Sequence, residues 1–190
     1  MPRPRQRTTL TIDDPHALRA LAHPARQRVI EELFNGEVLT ATEAARLCGI
    51  TPSAMSYHLR ALEQWGIVER DTSADGRERP WRATADHFSI APRTHRAAGT
   101  AASQAFLLPW VGELQAGLER AADSLADDDA DDWTTLSRGR LWLTAEESVA
   151  LREEMTGVLD RYRGRTSRNH PEGARARNAY WLLLPTEGSD

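Results

Sequence analysis

The sequence predicts a mainly α-helical chain with a small β component (α+β), and three observations predict it. Apolar residues recur at helical spacing from about residue 15 to 65 and again after Thr94. Cap-and-proline pairs such as Asp14-Pro15 and Thr51-Pro52 stand where several of these runs begin. Two short β-type runs, 67–70 and 80–84, flank Asp75-Gly76, which is the signature of a hairpin.

In chain order, residues 1–13 are a polar arm rich in Pro and Arg, with a short strand at 8–12. Asp14 caps a first helix that runs to about residue 22. Pro24 opens a second, with Val29, Ile30, Leu33 and Phe34 on one face and Asn35-Gly36 as its stop. Thr42 opens a short third helix that ends at Gly49. Thr51 caps a fourth over 52–65, with Ala54, Tyr57 or His58, Ala61, Leu62 and Trp65 at helical spacing and Gly66 beyond its end. The hairpin follows.

From about residue 94 to 125 the chain is again helical and Ala-rich. Ala98, Ala102, Ala105, Leu114, Leu118, Ala121 and Leu125 form its apolar stripe, and Pro109 predicts a kink or division. The acidic run 127–132 reads as a connector. Leu141-Trp142-Leu143 predicts a strand, and Thr144 with Glu147 predicts a capping box. That box opens a helix to about Tyr162 with Leu151, Met155, Val158, Leu159 and Tyr162 inward, and 179–184 predicts a buried strand. The expected organisation is an arm at 1–13, a domain at 14–92, a long helix or linker at 93–126, and a strand–helix–strand unit at 127–190.

Composition narrows the function classes. With 190 residues, 27% charged and 40% hydrophobic, the chain has the makeup of a folded protein. No apolar run approaches the roughly 18–20 residues of a membrane span, so no membrane partner is expected. No apolar stretch follows the N-terminal Arg residues, and the single Cys48 suits a reducing, cytoplasmic setting. The net charge of −4 hides an asymmetry: residues 1–96 carry a net +2 and residues 97–190 a net −6. No nucleophile elbow, Gly-rich phosphate loop or paired-metal spacing is present, so neither an enzyme nor a cofactor is expected.

The segment Ala41–Arg82 carries the functional signal. A short helix, the turn Cys48-Gly49-Ile50 and a capped helix make a helix-turn-helix, and the following hairpin makes a wing. Such a motif lays its second helix in the major groove of duplex DNA, with N-terminal side chains toward the base edges. Those residues are Thr51, Ser53, Ala54, Ser56 and Tyr57, with His58 and Arg60 one turn further. Leu47, Ile50, Leu59, Leu62 and Ile67 are the expected packing between the helices. Arg77, Arg79 and Arg82 surround the wing tip and suit phosphate or the minor groove. Arg93 and Arg96 could add phosphate contacts where the next helix starts.

At these residues the chain resembles the ArsR-type winged-helix regulators. The matching runs are LRALAHPARQRVIEEL at 18–33, TATEAARLCGITPSAMSYHLRALEQWGIVER at 40–70 and DGRERPWRAT at 75–84. The resemblance implies a homodimer that binds an inverted-repeat operator, often as a repressor, through Ser53, Ser56, Tyr57, His58, Arg60 and Arg77. The family's thiol sensors pair cysteines before the turn, whereas this chain has Cys48 alone. Asp86, His87 and His95 do not match the other familiar metal spacing, so no metal is expected. The acidic tail after Leu125 is an extension in which no ligand motif stands out, leaving a small-molecule effector unidentified.

Alternative readings stay open at this level. Tyr57 is a base reader or part of the core, and His58 touches phosphate or closes a packing seam. Cys48 is a small buried hydrophobe or a redox switch. Arg3, Arg5 and Arg7 enter a minor groove or belong to a disordered tail. The run 127–132 is a calcium site or a solvated linker. Trp110, Trp133, Trp142 and Trp181 line a ligand pocket or pack a core. A winged helix used only as a protein-interaction adaptor is the competing class.

Overall fold

Proline and side-chain caps start most helices of this chain. The computed structural model describes residues 8–71, 79–126 and 134–186. Strand β1 (Thr9–Ile12) leads into α1 (Pro15–Leu21), α2 (Pro24–Phe34), α3 (Ala41–Cys48) and α4 (Pro52–Gln64). Strands β2 (Val68–Arg70), β3 (Trp81–Ala83) and β4 (His87–Ile90) follow, then α5 (Pro92–Ala98), α6 (Thr100–Leu125) and α7 (Ala145–Asp160). Pro stands in the first turn of α1, α2, α4 and α5, where its missing N–H leaves no bond unmade. Asp14 accepts from the His16 N–H at 2.7 Å, and Thr51 accepts from the Ala54 N–H at 3.2 Å. The mainly helical α+β winged-helix fold expected from the sequence is the one observed.

One cap differs from expectation. Thr40, not Thr42, opens α3: its Oγ1 accepts from the Glu43 N–H at 3.2 Å, while the Glu43 carboxylate accepts from the Thr40 N–H at 2.8 Å. A reciprocal box needs a spacing of three residues, which Thr40 and Glu43 meet and Thr42 cannot.

The chain divides into two units, Met1–Trp110 with Gly164–His170, and Val111–Arg163 with Pro171–Asp190. The first holds the core, in which Leu18, Leu21, Val29, Leu33, Met55, Leu59, Leu62, Ile67 and Trp81 are almost fully buried. Its strands form two pairs. β2 and β3 run antiparallel, with Val68 opposite Ala83 and Arg70 opposite Trp81. An isolated bridge adds Leu39 to this ladder beside Trp81. β1 pairs with β4 in parallel, Thr9 opposite His87 and Ile12 opposite Ile90. The strand at 87–90 was not foreseen, because a short two-residue alternation is weak until a partner from 78 positions earlier supplies its hydrogen bonds. Thr94, fully buried, ties α5 to this pair through a 3.2 Å bond from its Oγ1 to the Ile12 carbonyl.

The break after residue 94 also falls elsewhere than expected. Gly99, at φ 87°, separates α5 from α6, whereas Pro109 lies inside α6 without dividing it. Only glycine adopts that left-handed backbone cheaply, so the stop belongs to Gly99. Within the first unit, Phe106 is the buried anchor of α6. Leu118 and Leu125 of the expected stripe are exposed.

In the second unit, α7 starts with the expected box, Thr144 accepting from the Glu147 N–H at 3.1 Å and Glu147 accepting from the Thr144 N–H at 2.7 Å. The flanking strands expected at 141–143 and 179–184 are not formed. Trp142 is 89% exposed, and α7 buries none of its residues. Val158 and Tyr162, expected inward, are exposed. An isolated pair of short strands is marginal without a face to pack on, and among the described residues of this unit no hydrophobic side chain is buried to supply one.

Candidate nucleic-acid interface

The geometry of α3 and α4 follows from small residues and one glycine. Ala44 and Ala45, buried at 0% and 1% exposure, let α3 lie close against α4. Gly49 ends α3 in the left-handed region at φ 64°, and the Ile50 N–H returns to the Ala45 carbonyl at 3.0 Å. Thr51 then starts α4, so its hydroxyl is engaged as a cap.

Helix α4 carries two stripes. Met55, Leu59 and Leu62 are each fully buried and spaced at i, i+4 and i+7. Ser53, Tyr57 and Arg60 repeat the same spacing two positions earlier and are exposed. A two-residue offset is about 200° around the helix, so the polar stripe faces away from the core. Ala54, Ser56 and His58 lie half-buried on the shoulders. Tyr57 is 64% exposed and so does not belong to the core. Leu59 and Leu62 pack inward as expected, whereas Met55 was not foreseen and Ala54, Tyr57, Ala61 and Trp65 of the expected pattern are not fully buried; the Met-x-x-x-Leu-x-x-Leu spacing was the signal for Met55. Leu47, expected between the helices, is instead 49% exposed at the end of α3.

His58 turns back toward the first turn of α2. Its ring centroid is 4.3 Å from that of His23 and 5.6 Å from that of Tyr57, and its Nδ1 is buried without a hydrogen-bond partner. Burial, then the charges of His23 and Arg26, hold its pKa below the usual imidazole value. The Arg26 guanidinium lies 6.0 Å from the Tyr57 ring centroid and donates to the Ala20 carbonyl at 2.9 Å. These contacts brace the exposed stripe from α2.

The hairpin arranges its arginines unequally. Arg82 pairs with Glu69 at 2.6 Å and with Asp71 at 3.5 Å, so its charge is partly spent along the ladder. Arg70 stacks 3.8 Å over the fully buried Trp81 ring and donates to the Arg79 carbonyl. This pair was not singled out in the sequence, because only the register sets Arg70 opposite Trp81. Arg79 is exposed at the base of the wing tip. Arg77, together with Arg3, Arg5, Arg7, Trp133 and the run 127–132, lies outside the described residues. Arg93 is engaged with Asp13 at 3.0 Å on the surface.

Cys48 is half-buried, its thiol donating to the Ala25 carbonyl at 3.7 Å, and burial pushes its pKa up. A thiol held protonated is a poor redox nucleophile. Among the described residues, no three His, Cys, Asp or Glu side chains cluster as metal ligands. No helix among them is long and apolar enough to cross a membrane.

Residues 21–71 match a helix-turn-helix domain model, so the chain contains a domain of that kind, the module with which many regulators read duplex DNA. The search of curated proteins finds no match. Among solved structures, a Lactococcus lactis ZitR variant in apo form is 12% identical, covering 75% of this chain and 84% of its own at a TM-score of 0.34. A MarR-family protein of Mycobacterium tuberculosis, in complex with p-aminosalicylic acid, is 23% identical, covering 59% of this chain and 92% of its own at a TM-score of 0.31. A MarR-family transcriptional regulator from Silicibacter pomeroyi is 18% identical, covering 78% and 82% at a TM-score of 0.31.

Proposed function

We propose that this protein is a transcriptional regulator that binds duplex DNA as a homodimer, acting as a repressor. In this reading α4 enters the major groove and presents Thr51, Ser53, Ala54, Ser56, Tyr57 and Arg60 to bases and phosphates, while Arg79 and Arg77 grip the flank. The observation that carries it is the exposed Ser53–Tyr57–Arg60 stripe set opposite the buried Met55–Leu59–Leu62 stripe. That arrangement leaves a polar, cationic helix face free while its back is fixed to the core. His58 has a lesser part here, since its ring packs toward His23. Exposed Leu107, Leu108, Trp110 and Val111 along α6 support pairing of two copies through this helix. The acidic unit after it is assigned to effector binding or oligomerisation.

The test is binding to duplex DNA of random sequence across a salt series, followed by selection of bound genomic fragments. A DNA reader binds and weakens steeply as salt rises, because cationic side chains release counterions from phosphates. Replacing Ser56, Tyr57 and Arg60 together by Ala abolishes operator binding while the dimer persists. Unchanged operator affinity in that triple variant refutes the assignment of α4. Absence of any salt-dependent DNA binding in the parent favours the adaptor reading.

A further inference from the structure

The tail is acidic overall, yet residues 161–177 contain Arg161, Arg163, Arg165, Arg168, Arg175 and Arg177 against the single acid Glu172. Part of this basic run belongs to the same unit as the helix-turn-helix. Gly164–His170 folds against the loop before α3. A Cβ at Gly36 would stand 3.5 Å from both the Gly164 Cα and the Thr166 Cγ2, so the two backbones meet at contact distance. The turn is closed by a bridge between Thr166 and Asn169, with N–H to carbonyl distances of 3.0 and 3.2 Å. Two carboxylates hold it: Glu37 accepts from the Ser167 N–H at 2.6 Å, and Glu43 pairs with Arg168 Nη2 at 2.9 Å.

We infer that this turn is a third DNA-contacting element, in which Arg165 and Arg168 meet the phosphate backbone beside the first helix of the helix-turn-helix. The inference rests on the reading of α3 and α4 as a DNA-binding pair. In that geometry the first helix crosses the sugar–phosphate backbone. Here the cap of that helix, Thr40, directly follows Leu39, which pairs with Trp81 of the wing. Bare, this corner would set the Glu37 and Glu43 carboxylates against phosphates. The turn covers both and places arginines over them. The Arg168 side chain remains 74% exposed while one of its amino groups holds Glu43, and a guanidinium has five donors, so further donors are left for phosphate. Arg165 is exposed on the same turn. The turn also recruits cationic charge from a tail that otherwise repels DNA.

The experiment is fluorescence anisotropy of the full chain on duplex DNA of random sequence over a salt series, comparing the parent with R165A/R168A and R165K/R168K. Loss of two phosphate contacts lowers the slope of log affinity against log salt by about 2. Between 50 and 200 mM salt the alanine variant therefore loses roughly tenfold less affinity than the parent does. The lysine variant recovers the parental slope, because charge is what counterion release reads. If the alanine variant melts early, R165Q/R168Q keeps the stem length and a polar tip and yields the same comparison. An unchanged slope, or tighter binding by the alanine variant, overturns the inference while leaving the α4 reading intact. A parent without salt-dependent affinity for duplex DNA overturns both.

Discussion

Met55 and Tyr57 are two positions apart on α4, yet their replacement by Ala should separate folding from recognition. Met55 is fully buried in the core, on the stripe of α4 that it shares with Leu59 and Leu62. Met55→Ala forfeits the transfer energy of the buried side chain and leaves a cavity, a cost of about 2–5 kcal/mol. For a unit of this size that lowers Tm by roughly 10 °C or more. Tyr57 is 64% exposed, and its ring meets only the edge of its surroundings, the His58 ring at 5.6 Å and the Arg26 guanidinium at 6.0 Å from its centroid. Tyr57→Ala therefore costs about 0.5–1 kcal/mol, the range of an exposed cation–π contact. On operator DNA the ranking reverses. At a temperature where both variants are folded, Tyr57→Ala is expected to weaken binding about tenfold or more, the scale of a lost base contact. Met55→Ala retains most of the affinity. Thermal melts followed by circular dichroism, together with anisotropy titrations on the selected operator, measure both quantities. Equal loss of Tm in the two variants would show that Tyr57 is a packing residue and would sink the two-stripe argument.

Other outcomes follow from individual contacts. Gly49→Ala meets no atom within 4 Å but must hold φ 64°, so it is expected to cost about 1–2 kcal/mol from backbone strain alone; a neutral variant in a denaturant titration would contradict this. Arg70→Ala removes the cation stacked at 3.8 Å on Trp81 and opens that buried ring to water. A loss of about 2 kcal/mol is expected in chemical unfolding, and Arg70→Lys should recover only part of it. Acid should act in two stages. The His58 pKa is held below its ordinary 6.5, chiefly by burial, so the unfolded ring takes a proton before the folded one does. Stability is then full above pH 6.5 and declines below it. Glu43 is held below its ordinary 4.5, chiefly by the hydrogen bond from the Thr40 backbone, so its contribution is present above pH 4.5 and lost on further acidification. H58N should flatten the first stage of a Tm-against-pH profile; an identical profile in that variant would assign the transition elsewhere.

Much of this protein is written locally. Pro15, Pro24, Pro52 and the caps Asp14, Thr51 and Thr144 act within three residues of themselves, so the starts of α1, α2, α4 and α7 could be read directly from the chain. Gly49 and Gly66 likewise announce the helix ends, because only glycine takes their positive φ at little cost. The helix-turn-helix and the hairpin behind it are sums of such local signals. Other features depend on partners far along the chain. β4 exists because β1 lies beside it, and Arg70 stacks on Trp81 because one register brings them opposite. Which face of α4 is buried was settled by packing, since Met55 lies in the core with Leu59 and Leu62 while Ala54, Tyr57 and Ala61 offer a competing helical pattern. The apolar runs at 141–143 and 179–184 have strand composition but pair with no strand among the described residues, so composition alone misplaced them. The attachment of residues 164–170 to Glu37 and Glu43 was beyond local reading altogether. The sequence by itself determined a capped helix-turn-helix with a wing; tertiary packing decided which side chains that motif leaves exposed, since burial is a property of neighbours brought together by the fold.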